Sequence, residues 1–437
     1  MRLTNVAHLR LPFGRLYGYD VTVTDLPDDA EPWRPVSFDQ GRHVGAGDRP
    51  GSWMALSFRL PEPVDREHLA AAWLAVVQRH GTLRTVFSPP AASGGVPSLR
   101  AVEVSAGAWR EHRIEAGQAV NEALRDVLDE ACRPYAAPSH RLCVLETADG
   151  PTVVVGADHS HTDMWSMLVI VRDLLAVLPA ARAGEDLHDA LPAVSEFAEH
   201  TRALLDRPTA PEDVRQRWAE IITDGGGVMP RFPLPLGDVD VPTPERVEVR
   251  DVLDVSSSVA LGEAAVRAGV STLALVVATM ATVTRDLADE PLRAVFPVHS
   301  RYDAQWHDAV GWFITNSVLH VDDVTPHAAA AAVKEAVRLG SYPLADVLAP
   351  WGGMPSAPGM FAISWLDLRR LPVKVDSHAL EAQYVGARIV TDGVMIWFVL
   401  DASGLHLRCR YPDTDEARLN VGRWLDELVA ALRGVAD

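Results

Sequence analysis

The stretch DHSHTDMWS at residues 158–166 is the densest polar cluster in the chain. It directly follows TVVVGA at 152–157, whose apolar residues predict a buried strand, and it leads into an apolar run that predicts a helix over 166–178. Polar side chains between a strand end and a helix start are well placed to face a cleft. The alternative is a satisfied loop, in which Asp163 or Ser166 caps the following helix.

Strand and helix patterns alternate outward from this cluster in both directions, and one of the later strands is predicted over 385–391. Residues 180–250 interrupt the pattern with many prolines and glycines, and the same mixture restarts after them. We therefore predict an α+β fold of two similar lobes. The N-terminal lobe spans 1–185 and carries the polar cluster, a linker region spans 186–245, and the C-terminal lobe spans 246–437. A cleft between two lobes is a common place for a binding site.

The composition argues against several classes of function. The formal net charge is −19 over 437 residues, which disfavours a general nucleic-acid or anionic-membrane binder, because phosphate binding needs clustered cations. The first residues contain no apolar signal core, and the most apolar stretches are too short or too interrupted by charge to span a bilayer. We therefore predict a cytoplasmic protein without a membrane span.

Cysteine and histidine positions argue against metal and covalent chemistry. Cys132, Cys143 and Cys409 form neither a disulfide framework nor an obvious zinc site, and reduced thiols suit the cytoplasm. His159 and His161 lack a third ligand at a familiar spacing, so no metal site is predicted. The chain contains no G-x-S-x-G serine motif and no glycine-rich phosphate or dinucleotide motif.

Five further segments surround the polar cluster in a distinctive order. They are SFDQGR at 37–42, RHGTLRTVF at 79–87, VSEFA at 194–198, VGWFITN at 310–316 and SYPLADVL at 341–348. With the polar cluster, they resemble the motif series of the condensation-domain superfamily over about residues 35–435. That superfamily includes the condensation domains of nonribosomal peptide synthetases, free-standing condensation enzymes and the polyketide-associated acyltransferases. It is distantly related to chloramphenicol acetyltransferase.

The resemblance implies roles for the residues of the polar cluster. His159 stands at the second histidine of the family pattern H-H-x-x-x-D-G-x-S, which is the catalytic one. Two positions depart from the pattern, since Asp158 replaces the first histidine and Met164 replaces the glycine. A neutral imidazole at His159 could accept a proton from an attacking hydroxyl or amine. It could instead position the nucleophile and stabilise the tetrahedral intermediate, and both roles stay open.

Other residues are implied to support the active-site loop or to line the substrate tunnel. Asp163 matches the motif aspartate, which in the family pairs with an arginine, and Arg301 is the first candidate partner, with Arg84 second. Asp158 is a further support residue. The tunnel candidates are Ser166, Trp165, Trp312, Asn316 and Ser364.

The resemblance also implies a fold and a reaction. It implies two chloramphenicol acetyltransferase-like lobes that form a V-shaped pseudo-dimer around a central tunnel, in a chain that acts as a monomer. An acyl group would pass directly from a phosphopantetheine thioester, on a carrier protein or coenzyme A, to a hydroxyl or amine of a small-molecule or carrier-bound acceptor. No cofactor is expected to stay bound. The segment SWLDLRRLP at 364–372 resembles a region of the polyketide-associated acyltransferases and favours an ester product over an amide.

Two alternatives remain open. Heterocyclising condensation domains carry the pattern D-x-x-x-x-D-x-x-S, and Asp158, Asp163 and Ser166 satisfy that spacing, although the retained His159 favours simple transfer. The altered first histidine and glycine also permit a non-catalytic module that binds a carrier protein and recruits a partner to it.

Overall fold

The structure is a computed structural model that describes residues 1–27, 33–90, 95–148, 150–188 and 190–436. The chain falls into two compact units, each assembled from separate stretches of sequence. Each unit contains one mixed sheet and several helices, which confirms the predicted α+β class. The V-shaped arrangement and the lobe boundaries at residues 185 and 246 stay predictions. Unit 1 comprises Met1–Asp206, Arg301–Phe313 and Leu371–Arg388, and unit 2 comprises Arg207–Ser300, Ile314–Arg370 and Ile389–Asp437.

The strands are numbered along the chain. Within the described ranges they are β1 (Arg2–Asn5), β2 (Arg15–Asp25), β3 (Trp33–Arg34), β4 (Trp53–Arg59), β5 (Thr85–Ser88), β6 (Ser98–His112), β7 (His140–Glu146), β8 (Thr152–Asp158), β9 (Thr243–Leu253), β10 (Leu292–His299), β11 (Ile314–Val321), β12 (Phe361–Asp367), β13 (Gln383–Gly386), β14 (Val390–Thr391), β15 (Val394–Asp401) and β16 (Gly404–Pro412).

The helices follow the same convention. Over the same ranges they are α1 (Phe38–Gly45), α2 (Arg66–Arg79), α3 (Val120–Ala131), α4 (Met164–Ala183), α5 (Phe197–Leu205), α6 (Glu212–Asp224), α7 (Val255–Arg267), α8 (Thr272–Ala288), α9 (Pro326–Leu339), α10 (Leu344–Val347) and α11 (Asp415–Ala436).

The sheet of unit 1 is built around strand β8. Its order is β1–β13–β4–β8–β7–β2–β6–β3, and β5 also pairs with β6. Strand β8 is antiparallel to both of its neighbours, and every one of its residues is buried. Burial on both faces explains why residues 152–157 form a continuous apolar run rather than an alternating one. The strand ends at Asp158, so the polar cluster begins at the end of a central strand.

Helix α4 begins where the polar cluster ends. Asp163 is its N-cap, and the side chain accepts a hydrogen bond from the Ser166 amide at 2.7 Å. Gly184 ends the helix in the left-handed conformation at φ 69°. The sequence predicted an end at 178 because proline usually stops a helix, but Pro179 lies inside α4. Leu178 and Ala181, on either side of this proline, are both buried, so the helix continues packed against the core.

By length and composition alone, α4 could span a membrane, with a mean hydropathy of 1.7 in an 18-residue window. Helices α7 and α8 meet the same criterion only together, and they are bent by 91°. Because 67% of the α4 window is buried inside the structure, α4 resembles the core helix of a soluble protein. The length of this apolar helix was underestimated, because the predicted helix ended at residue 178. The absence of a membrane span and the cytoplasmic location stay predictions.

The core of unit 2 lies between one face of its sheet and helices α7, α8, α9 and α11. The sheet order is β11–β10–β12–β15–β16–β9–β14. Alternate residues of the central strands face these helices, among them Ile363, Phe398 and Leu407. Trp424 of α11 is fully buried in this core, and its indole N–H donates to Thr284 Oγ1 at 3.1 Å.

The strand predicted over 385–391 is divided in the structure. Strand β13 lies between β1 and β4 in the sheet of unit 1. Strand β14 instead pairs with β9 in the sheet of unit 2. The prediction of one strand was wrong because the apolar periodicity of a segment carries no information about its partner strands.

Trp424→Ala is expected to lower the free energy of unfolding of unit 2 by about 3–5 kcal/mol, because loss of a large buried side chain leaves a cavity. Leu419→Ala on the same helix is the matched control. Leu419 is 70% exposed, and its truncation should change stability by less than about 0.5 kcal/mol. Urea denaturation followed by circular dichroism measures both variants, and equal effects would contradict the packing of α11.

Candidate active site

Strand pairing carries directly into the polar cluster of unit 1. The Asp158 amide donates to the Ser139 carbonyl at 2.8 Å, and the His159 amide donates to the Ser52 carbonyl at 3.0 Å. These bonds extend the pairing of β8 with β7 and β4 beyond the end of the strand. His159–His161 then forms a 3₁₀ turn that leads to α4. The backbone of the turn is therefore fixed by the sheet.

The Asp158 carboxylate is completely buried and is held by several donors. Its Oδ1 accepts from the Ser160 amide at 2.9 Å, and its Oδ2 accepts from Ser52 Oγ at 2.5 Å. His43 Nε2 lies 3.2 Å from Oδ1 and 3.3 Å from Oδ2. Burial by itself would raise the pKa of Asp158, but the hydrogen bonds from His43, Ser160 and Ser52 hold it well below its ordinary value. Asp158 is therefore an anion at neutral pH.

The contacts of His43 define its tautomer. Arg49 Nη2 lies 3.2 Å from His43 Nδ1. A guanidinium only donates, so Nδ1 must be the accepting nitrogen, and the ring proton sits on Nε2 and points at Asp158. The imidazole thus connects the guanidinium of Arg49 to the carboxylate of Asp158. It donates the proton that the buried carboxylate requires.

Helix α1 brings His43 into the site, and the sequence reasoning missed this residue. Ser37 and Gln40 form a capping box at the start of α1. Gln40 Nε2 also donates to the Ser160 carbonyl at 2.9 Å, which attaches the helix to the 3₁₀ turn. His43 directly follows the SFDQGR segment. The signal that could have found it is the substitution at Asp158, because a buried carboxylate needs donors from elsewhere in the fold.

The His159 ring is half-buried and stacks on an indole. Its centroid lies 4.2 Å from that of Trp312, at an interplanar angle of 28°. The His43 ring contacts Trp312 edge-on at 5.3 Å, and the two imidazoles are 6.2 Å apart. Trp312 therefore forms a wall shared by both histidines.

The ring of His159 is not held by hydrogen bonds from the described side chains. Its Nδ1 is buried without a hydrogen-bond partner, and no side chain in the described part of the chain bonds to the ring. Burial lowers the pKa of His159 below its ordinary value. The imidazole is consequently neutral at pH 7 and able to accept a proton.

Asp163 and Arg301 lie together in unit 1. Arg301 Nη2 is 3.4 Å from Asp163 Oδ1, and both side chains are almost completely buried. Asp163 Oδ2 accepts from the Phe313 amide at 3.0 Å. The carboxylate therefore caps α4 and also anchors the segment that carries Trp312. Of the two candidate partners for Asp163, Arg301 is the one in contact.

Both terminal nitrogens of Arg301 are hydrogen-bonded within the protein, whereas its buried Nε has no hydrogen-bond partner among the described residues. Its Nη1 donates to the carbonyls of Trp306 and Ala309, the latter at 2.7 Å, and Nη2 donates to Ser166 Oγ at 2.7 Å. The guanidinium also lies 3.7 Å from the ring centroid of Phe313. Burial lowers the pKa of Arg301, but a guanidinium stays charged at neutral pH.

The structure places Ser166 and Trp165 in this same network. Ser166 Oγ donates to the Gly311 carbonyl at 2.8 Å and accepts from the Gly311 amide at 3.1 Å. Trp165 Nε1 donates to the His307 carbonyl at 3.0 Å, and its side chain is buried. Both residues attach the start of α4 to the 301–313 segment. Their predicted roles in lining a tunnel stay predictions.

The remaining tunnel candidates belong to unit 2. Asn316 lies on β11 and pairs with Pro297 of β10, whereas Ser364 lies on β12 and pairs with Trp397 of β15. Both side chains are half-buried. Their roles also stay predictions.

Sequence comparison connects the chain to a known family. A family model described as the condensation domain matches residues 47–338, which is two thirds of the chain. The acyltransferase PapA3 of Mycobacterium tuberculosis is 22% identical over 428 residues, which cover 92% of this chain and 89% of the relative. Phosphinothricin tripeptide synthetase PhsC of Streptomyces viridochromogenes is 28% identical over 324 residues, which cover 70% of this chain. The chain spans only 29%, 14% and 4% of three synthetases that it matches.

Structural comparison agrees with this assignment. A PapA2 acyl transferase superposes with a TM-score of 0.85 at 19% identity over 100% of both chains. The first condensation domain of the calcium-dependent antibiotic synthetase superposes with a TM-score of 0.69 at 15% identity, over 93% of this chain and 97% of that one. The predicted fold and the predicted family are both confirmed.

Arg301→Met is expected to lower the free energy of unfolding by about 3–5 kcal/mol, because it leaves Asp163 buried without its cation. Arg15→Met is the control, since the Arg15 side chain is 70% exposed. The double variant Arg301→Met/Asp163→Asn should cost less than the sum of the single changes. Urea denaturation measures the wild type, the single variants Arg301→Met and Asp163→Asn, the double variant and the Arg15→Met control. Additive effects would show that the two residues act independently.

His43→Gln and His43→Ala separate the donor role of His43 from its packing. A glutamine amide can accept a hydrogen bond from Arg49 and donate one to Asp158. Alanine removes this donor, so burial raises the pKa of Asp158 relative to the wild type. A carboxyl group whose pKa is depressed by folding stabilises the fold at pH values above its unfolded-state pKa of about 4. This stabilisation is lost as the pH falls below that value. We expect His43→Gln to exceed His43→Ala in stability by about 1.5–3 kcal/mol at pH 7.

The difference between the two variants should shrink as the pH falls below about 4, where Asp158 becomes protonated in the unfolded chain and in His43→Ala alike. Denaturation curves of both variants from pH 3 to 8 measure it, and neither variant carries a titrating imidazole at this position. A difference that does not change with pH would contradict the assigned donor role.

Proposed function

The chain belongs to the condensation-domain family, and from this we propose that it transfers an acyl group from a phosphopantetheine thioester to a hydroxyl or amine acceptor in natural-product or lipid biosynthesis. The observation that carries the proposal is the unpartnered, neutral imidazole of His159 against Trp312. Two further points support it. Relatives covered over most of their length are named acyltransferases, and the matched synthetases build peptides.

In this proposal His159 acts on the attacking group. The acceptor oxygen or nitrogen attacks the thioester carbonyl, and the imidazole takes the proton that this atom loses. The tetrahedral intermediate then expels the thiolate, which receives the proton, and the ester or amide remains. A role in which His159 instead orients the nucleophile and stabilises the intermediate is compatible with the same position.

Transfer is direct, without an acyl-enzyme intermediate. The cysteines Cys132, Cys143 and Cys409 are all buried. Burial raises the pKa of Cys143 to about 12 and raises that of Cys132 and Cys409 as well. Thiols of this kind are not activated nucleophiles. The thioester donor therefore reacts with the acceptor while both are bound, and no resident cofactor takes part.

The contacts of Asp158 favour transfer over heterocyclisation. The spacing of Asp158, Asp163 and Ser166 satisfies the cyclising pattern, but each of these side chains is occupied within the fold. The Asp158 carboxylate accepts from Ser52, Ser160 and His43, and its pKa is lowered, so it is a poor base. Asp163 and Ser166 hold the 301–313 segment. Among these motif positions, His159 is the group left available.

The donor and product follow from the family and the relatives. Condensation domains work with carrier-bound thioesters, so an acyl or peptidyl carrier protein is the proposed partner, with coenzyme A as the alternative donor. PapA3, of which the match covers 89%, is named an acyltransferase, and with the segment at 364–372 this supports an ester product. The related PapA2 of Mycobacterium bovis is named a trehalose-2-sulfate acyltransferase, which gives one precedent for a hydroxyl acceptor.

His159→Ala should reduce acyl transfer at least about a hundredfold, because a general base contributes roughly 10²–10⁴. Intact-mass assays of an acyl-loaded carrier protein and of acyl coenzyme A, each with candidate acceptors, measure the transfer. His378→Ala is the control, since His378 is an exposed histidine of unit 1.

The same assays separate the alternatives. Carrier binding by His159→Ala should persist, because the change removes only the imidazole. Undiminished turnover would rule out the role of His159. A wild-type chain that binds the carrier and never transfers would instead be a recruitment module, and a thiazoline-type ring in the product would establish heterocyclisation.

A further inference from the structure

Unit 2 contains a buried cation that makes no direct ion pair within the described ranges of the chain. Arg408 lies on β16, and only 7% of the residue is exposed. Its guanidinium stacks 4.8 Å from the ring centroid of Trp397 on β15. Within the described ranges of the chain, Arg408 makes no hydrogen bond and no ion pair. Guanidinium groups carry five N–H donors, so an unpartnered buried one is unusual.

The neighbouring charges compensate Arg408 only in part, because Glu245 acts on both Arg408 and Arg410. Arg410 shares its sheet face, and the Arg410 guanidinium lies 5.2 Å from the same Trp397 ring. Arg410 Nε is 3.9 Å from Glu245 Oε2, and Arg410 Nη2 donates to Met395 Sδ at 3.3 Å. Glu245 can therefore balance one of the two arginines. One positive charge is left over on this face of the sheet.

The excess charge persists at neutral pH. Burial, followed by the charge of Arg410, lowers the pKa of Arg408 to about 10. Arg408 therefore remains protonated at pH 7. Burying a charge without acceptors is strongly unfavourable, and removing the charge often stabilises a protein. A ligand that supplied the missing acceptors would recover this cost.

The surrounding residues match the parts of an oxoanion-bearing molecule. Ile396 and Leu407 face the helical core, so Trp397 and Arg408 face the opposite side of the sheet. Trp397 pairs directly with Arg408 on one side and with Ser364 on the other. A guanidinium fork, an indole face and a hydroxyl thus lie in one row across three strands. The guanidinium would bind an oxoanion, the indole would pack against an apolar part of the ligand, and the hydroxyl would hydrogen-bond to a further polar group.

We propose that Arg408, Trp397 and Ser364 form a recognition subsite for an oxoanion, a carboxylate or a sulfate or phosphate group, on a small-molecule substrate. Arg408 binds two oxygens of the anion through parallel N–H groups, and Trp397 packs against the adjoining carbon atoms. Anion binding follows from these residues alone. The assignment of the ligand as a substrate rests on the proposed acyl transfer.

Thermal unfolding of the full chain tests the anion site without turnover. Sulfate, phosphate and acetate replace chloride at constant ionic strength. The wild-type chain should gain a saturable increase in Tm of roughly 2–4 °C for the preferred anion, beyond the nonspecific effect of that salt. Arg408→Met should lose this gain. In chloride its Tm should equal or exceed that of the wild type, because the uncompensated charge is gone.

Two further variants make the thermal test specific. Arg267→Met removes an arginine of unit 2 whose side chain is 70% exposed, and it should respond to anions like the wild type. Arg408→Lys keeps the charge and the fold but loses the parallel donors, so half-saturation should need at least about fivefold more anion. The subsite is overturned if Arg408→Met lowers the Tm and keeps the full anion response, or if the wild type shows no saturable response.

Kinetics then assign the source of the anion. Arg408→Met should raise KM for the oxoanionic substrate at least about tenfold with kcat nearly unchanged, as expected for loss of uniform binding. Inhibition by the preferred inorganic anion should be competitive against the acceptor if the acceptor carries the group. Competition against the donor would assign it to the phosphate of the thioester arm. Noncompetitive inhibition against both would overturn the substrate assignment.

The subsite and the proposed function can fail separately. His159→Ala should abolish transfer and keep the anion response, because binding needs no chemistry. A chain with an Arg408-dependent anion response and no acyl transfer would refute the proposed function and leave the anion site standing. Acyl transfer with no change in KM for Arg408→Met would refute the assignment of the anion as a substrate group and leave the proposed function standing.

Discussion

The buried carboxylate of Asp163 is the constraint on which the site depends. One oxygen caps α4 and contacts Arg301, and the other receives the amide of Phe313. The cap is local, but Arg301 and Phe313 lie 138 and 150 positions further along the chain than Asp163. Because a carboxylate in a dry environment must keep its donors, the start of α4 and the segment with Trp312 have little freedom to separate. The wall against which His159 stacks is thus positioned by a residue that need not contact any substrate.

Much of this arrangement was predictable because it is local in sequence. The apolar run of β8, the cap at Asp163 and the order of the motif segments indicated a strand, a turn and a helix around His159, and the family followed from them. Helix α4 was predicted too short, because the sequence pattern does not show that a buried helix continues past Pro179. Proline usually ends a helix, but tertiary packing can override this preference. The division of β13 from β14 was not predictable, since pairing partners are set by the whole sheet.

The contact between His43 and Asp158 was also not predictable from the sequence, because it joins residues 115 positions apart. The sequence shows an aspartate where the family has a histidine, and by itself that change suggests a weakened site. In the fold, the histidine comes from α1 instead, and Arg49 sets its tautomer. The polar network is therefore kept with its partners exchanged. An altered motif position is informative only once the groups around it are known.

The placement of β13 has a consequence for how the protein is made. Strand β1 and strand β4 are neighbours of β13 and do not pair with each other, so the sheet of unit 1 contains a gap until residues 383–386 arrive. Those residues leave the ribosome after most of the chain, and the 301–313 segment also arrives late. Unit 1 therefore completes its fold late in synthesis, through contacts of very large sequence separation. Assembly of the sheet that carries the active-site turn therefore waits for residues 383–386.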